Sequence, residues 1–190
     1  RHVLSHTSGL RNWRNRAEDR LVPDFDAGAR FQYSGEGFYW LQRAMERATG
    51  TGFARLMERR VFEPLGMAST SYQWRADTDA RLVSGHDGAG QARPSFSRDL
   101  ALKLLAHAEA AGTPLAAMTH ESIVAALERM TPAPVPAMLP NFLIPNAAGS
   151  LLTTPGDYAA FLVAALTDAP PAVALRPATR EAMTAPRVTL

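Results

Sequence analysis

A tyrosine, a serine and a glycine stand at the mouth of a helix in FQYSGEGFYWLQRAMERATG, residues 31–50. A phenol has an unperturbed pKa of about 10, so it exchanges protons at neutral pH only where a neighbouring cation favours the phenolate. At a helix entry, beside the small residues Ser34 and Gly35, Tyr33 has room to trade a proton with a hydroxyl nucleophile. The competing reading is structural: the ring buries and its hydroxyl bonds a backbone carbonyl. Capping alone does not explain the phenol, because a cap needs only Ser, Thr, Asp or Asn.

Other reactive side chains are less well placed. LSHTSGL brings Ser5, His6, Thr7 and Ser8 together, but nucleophile and base normally come from separate elements. The segment reads as a structural turn, and the chain has no G-x-S-x-G elbow. His86 with Asp87 lacks a second histidine at ligand spacing, and His2, His107 and His120 are scattered, so neither a metal site nor a cofactor is expected. Asp24 and Asp26 read as a solvated loop. The chain has no cysteine, which excludes disulfides and thiolate chemistry.

The elements that must position these residues are mostly helices. Phe38, Leu41, Met45 and Ala48 recur at helical spacing and predict a helix over 36–49, closed by Gly50. Further helices are expected over 52–61, 97–111, 119–130 and 155–166, with a short last one from Pro177. The helix over 119–130 opens on Thr119, and that over 155–166 on Thr154-Pro155 with Asp157. AAGSLL predicts a short buried strand, and TPAPVPAMLPNFLIP is too rich in proline for helix or central strand. With 190 residues, 46% hydrophobic and 20% charged, one soluble globular domain is implied. A net charge of +2 gives no basic patch for nucleic acid, and no apolar run is long enough to span a membrane.

HVLSHTSGL, FQYSGEGFYWLQRAMERATG, VFEPLGMAST, GHDGAG and NAAGSLLTTPGDYAAFL occur in this order. Together they resemble the serine β-lactamase-like hydrolases, which include class C β-lactamases, D-alanyl-D-alanine carboxypeptidases and esterases, over roughly residues 1–186. The resemblance implies the helical region of a mixed α/β fold, with most of the sheet missing from this chain. It implies acyl-enzyme chemistry on an ester or amide substrate, and a periplasmic or secreted protein.

Three motifs carry the family's chemistry: Ser-x-x-Lys, Tyr-x-Asn, and Lys-Thr-Gly or His-x-Gly. Tyr33 matches the tyrosine of the second and is implied to be catalytic, relaying protons. Ser34, Gly35, Gly149 and Ser150 are implied to line the substrate pocket.

Two departures stand out. Gly35 occupies the asparagine position, which favours an esterase over a β-lactamase or peptidase. The only lysine is Lys103, three residues after Leu100, so Ser-x-x-Lys is absent. His86-Asp87-Gly88 precedes the AAGSLLTT segment and so lies out of order for the third motif. The chain therefore reads as a central piece of one incomplete domain, 1–190. Its nucleophile is expected upstream of LSHTSGL and its third motif beyond Leu190, leaving incomplete surfaces through which copies could self-associate. Residues 95–139 read as a helical and Pro-rich insertion, either roofing a pocket or decorating the surface. A non-catalytic binding or scaffold protein on the same fold is the alternative.

Overall fold

Ser34 turns the chain from extended backbone into the first helix: its hydroxyl accepts the Gly37 amide at 2.9 Å, an N-cap bond. Helix α1 (Gly35–Thr49) then runs to Gly50, whose left-handed backbone (φ 67°) lets its amide close on the Glu46 carbonyl. The computed structural model describes residues 1–14, 20–93, 96–131, 142–167 and 175–186. After α1 come α2 (Phe53–Met57), α3 (Arg98–Ala110), α4 (His120–Met130), α5 (Pro155–Leu166) and α6 (Pro177–Thr184). Ser97, Thr119 and Thr154 cap α3, α4 and α5 through their side chains.

The fold is mainly α, as the sequence implies. Among the described residues the strands amount to one antiparallel ladder, β1 (Gly85–His86) with β2 (Ala92–Arg93), and one isolated bridge, Ser71 with Leu152. The strand expected in AAGSLL is reduced to that bridge. The Gly149 and Ser150 amides both curl back to the Asn146 carbonyl, so the chain extends only at Leu152, just before the cap of α5. The helix expected over 52–61 is regular only to Met57. Glu58–Phe62 forms a π turn, ending two residues before Pro64, which cannot donate to a regular helical ladder.

An apolar cluster forms where α3 and α4 face each other. Leu104, Ile123 and Leu127 are almost fully buried there, against Trp74, Leu143 and Ile144. Helices α3 and α4 thus supply much of this cluster, while 132–141, which hold most of the Pro-rich run, lie outside the described residues.

A buried polar seam joins this cluster to α1. The Glu46 carboxylate accepts the Phe53 amide at 2.9 Å and the His120 amide at 3.0 Å, at the N-termini of α2 and α4. Gln42 adds a third donor at 3.2 Å and binds the Pro145 carbonyl and the Ala147 amide on the following loop. Burial pushes the Glu46 carboxyl above its ordinary value, against the pull of these three donors.

Helix α5 keeps much apolar surface open: Tyr158, Leu162, Val163 and Leu166 are all exposed. Its N-terminus is tied down by Asp157, which accepts the Ser69 amide and the Thr70 hydroxyl, both at 2.8 Å. No helix among the described residues is long and apolar enough to cross a membrane.

Candidate active site

Tyr33 is the last residue before the cap of α1. Its ring leans on the His6 imidazole, with centres 4.4 Å apart and planes tilted by 33°. The residue is nevertheless 53% exposed, and its hydroxyl has no hydrogen-bond partner among the described residues. The structural reading needs a buried ring with a carbonyl-bound hydroxyl. The placement found is the opposite, a phenol offered to solvent.

The backbone around it is held tightly by residues 6–14. The Gln32 amide donates to the His6 carbonyl at 2.7 Å. The Ser34 amide donates to His6 Nδ1 at 3.1 Å, and the Ser34 hydroxyl to the Arg11 carbonyl at 2.8 Å. Asn12 then takes two amides, that of Gly35 on its side-chain oxygen at 2.9 Å and that of Glu36 on its carbonyl at 2.8 Å. Glu36 is fully buried and binds the Arg14 amide, the Arg14 guanidinium and the Trp40 indole N–H. A chain stretch distant in sequence therefore sets the height and angle of the phenol.

Gly35 is required by close approach. A β-carbon there would stand 2.5 Å from Trp13 Cζ2 and 3.0 Å from Asn12 Oδ1, inside any tolerable contact. The Trp13 indole occupies the space into which a side chain at position 35 would project. The missing motif asparagine and the presence of this indole are two sides of one packing arrangement.

The remaining expected pocket residues are placed differently from Tyr33. Ser34 and Gly35 are buried, the serine with its hydroxyl committed to the cap and to Arg11. Ser150 is fully buried and donates to the Ile144 carbonyl, whereas Gly149 is exposed. Their loop docks on Gln42, eight residues along α1 from Ser34 and so about 12 Å further down the helix axis. His86 lies on the exposed ladder, where the neighbouring Asp87 is spent on the turn amides of Ala89 and Gln91. Among the described residues no cluster of His, Cys, Asp and Glu could hold a metal.

Sequence reading missed His6, Asn12 and Trp13. His6 does not pair with Ser5; its imidazole lies among Phe31, Tyr33 and Phe38. Burial lowers its pKa. Nothing in the spacing of LSHTSGL announces that fold-back. The one local signal is the phenol itself, whose ring needed a neighbour.

Comparison with known proteins adds five findings. A family model described as Beta-lactamase matches residues 1–189. A beta-lactamase-like 1 protein of Homo sapiens is 36% identical over 42% of this chain, and a lovastatin esterase of Penicillium rubens is 30% identical over 43%. The chain spans only 16% and 26% of those two proteins. Among solved structures, a mutant simvastatin synthase from Aspergillus terreus superposes over the whole chain with a TM-score of 0.60 at 20% identity. A β-lactamase/D-alanine carboxypeptidase from Yersinia pestis does so over 97% of the chain, with 0.56 at 19%. The chain covers 42% and 43% of those structures, and at such identities the likeness speaks to the fold.

Proposed function

The chain belongs to the serine β-lactamase-like hydrolase family, and from that premise we propose that it is part of an acyl-transferring hydrolase in which Tyr33 relays the proton. A serine hydroxyl attacks the substrate carbonyl and gives up its proton to the phenolate as the C–O bond forms. The phenol returns that proton to the departing alkoxide or amine, and water then releases the acid from the ester intermediate. The observation that supports this is the exposed phenol, its hydroxyl without a hydrogen-bond partner among the described residues, on a backbone fixed from both sides.

On this reading the serine and its lysine lie in a longer protein, outside these 190 residues. Lys103 cannot stand in: it is exposed on α3 and pairs with Asp99, four residues earlier, at 2.7 Å. Ser34 and Gly35 serve the pocket by holding its floor, and the loop of Gly149 and Ser150 forms a more distant wall. An ester is the favoured substrate, because the motif amide is replaced by Gly35 under Trp13 and a curated relative is named an esterase. The exposed apolar face of α5 belongs against the rest of the domain, and in its absence promotes self-association of this chain. The rival reading, a non-catalytic binding protein on the same fold, draws on that same replacement.

Covalent labelling separates the two. A fluorophosphonate probe is expected to leave the 190-residue chain unlabelled and to modify one serine of the longer protein stoichiometrically, as read by intact mass. Labelling of a serine within this chain, or none in the longer protein, would overturn the proposal.

A further inference from the structure

His6 is the one non-glycine residue with positive φ, at 53°, among the described residues. A β-carbon in that region is strained, and asparagine or glycine sits there with less strain. The fold nevertheless keeps an imidazole at this point and clamps it. Its own amide donates to Val3 at 3.1 Å and its carbonyl accepts Gln32 at 2.7 Å. The ring is wedged between Phe31 at 5.8 Å, Phe38 at 5.2 Å and the Tyr33 phenol at 4.4 Å.

We propose that His6 is a positioning residue for Tyr33, supporting the phenol with its ring face and fixing the backbone after it through Nδ1, and that protonation of His6 releases both. The proposal rests on the reading of Tyr33 as the proton relay. The Ser34 amide points a donor at Nδ1, so that nitrogen must be bare and the neutral ring carries its hydrogen on Nε2. An imidazolium would set a second N–H against the Ser34 N–H and break that bond. Of the three aromatic side chains packed on the ring, Phe31, Tyr33 and Phe38, only Tyr33 is ionisable, and the downward shift of the His6 pKa comes from burial without a contribution from a neighbouring charge. The site is thus a switch that is engaged above the His6 titration and disengaged below it.

The test is an NMR titration of the chain carrying 13C-labelled tyrosine, with the Tyr33 Cζ resonance assigned by its loss in Tyr33→Phe. In the wild type this resonance should move with the His6 midpoint, itself below about 6.5. His6→Asn keeps an acceptor near the Nδ1 position and tolerates positive φ. It should abolish the pH-dependent movement while keeping the Ser34 amide protected from exchange. His6→Leu removes the acceptor and should speed exchange of that amide about fivefold or more, as loss of one hydrogen bond implies. A Tyr33 resonance that ignores the His6 titration, or one that still follows the same midpoint in His6→Asn, would overturn the proposal. Both readouts stand without His6→Leu, so they decide the matter even where leucine prevents folding. None of them requires turnover, so they judge the positioning of the phenol separately from its part in acyl transfer.

Discussion

Restoring the motif asparagine should fail in this chain unless Trp13 is removed with it. A β-carbon on Gly35 would lie 2.5 Å from Trp13 Cζ2 and 2.9 Å from Cε2, where carbon atoms rest about 3.5–4.0 Å apart. An overlap of about 1 Å in a well-packed place costs on the order of 1–3 kcal/mol, so Gly35→Asn alone should destabilise by about 2 kcal/mol. Trp13→Ala uncovers a half-buried indole and should cost about 2 kcal/mol by itself. The double variant has no clash and should also sit about 2 kcal/mol below wild type, rather than the ~4 kcal/mol that independent sites would give. Urea unfolding followed by circular dichroism, fitted with a common m-value, measures the cycle. Additivity within about 0.5 kcal/mol would refute the claim that the indole occupies the side-chain space of position 35.

Glu46→Ala leaves three buried donors from Phe53, Gln42 and His120 without their acceptor. It should cost about 3 kcal/mol in the same unfolding assay, after allowing for relief of a buried charge, and a loss under about 1 kcal/mol would contradict the view that Glu46 ties α1 to the starts of α2 and α4. Ser34→Ala removes the α1 cap and the bond to Arg11; a drop of about 1–2 kcal/mol is expected, read from the urea midpoint. For His6 the folded pKa lies below the unfolded one, so the unfolded chain holds more protons between the two values. Wild-type stability relative to His6→Asn should therefore be fully present above about pH 6.5 and be lost as pH falls through the folded pKa. A difference that is flat across that window, measured by unfolding at each pH, would count against it.

What the sequence made legible was local. Helix starts announced themselves because Ser97, Thr119 and Thr154 bond amides three residues on, an interaction confined to one turn. Tyr33 was legible because a phenol is superfluous at a helix entry. Its support was not, because the contacts from His6, Arg11 and Asn12 span more than twenty residues, and no periodicity encodes such a return. Gly35 could be seen as a departure, but its cause is the Trp13 ring, which only the folded chain brings over it. Glu46 carries no such local mark, because nothing in the helical spacing of residues 36–49 singles it out. Its burial became intelligible only when two other helix N-termini were found pointing at it. AAGSLL misled because a run of small and apolar residues fits a strand and a buried turn equally well.

The most direct test of the account is Tyr33→Phe in the longer protein, with kcat on a p-nitrophenyl ester measured beside thermal unfolding. Phenylalanine keeps the ring that leans on His6 and removes a hydroxyl with no partner among the described residues, so the melting temperature should barely move. If the phenol relays the proton, kcat should fall by about 10²–10⁴-fold. Turnover within a few fold of wild type, with unfolding unchanged, would contradict the central claim.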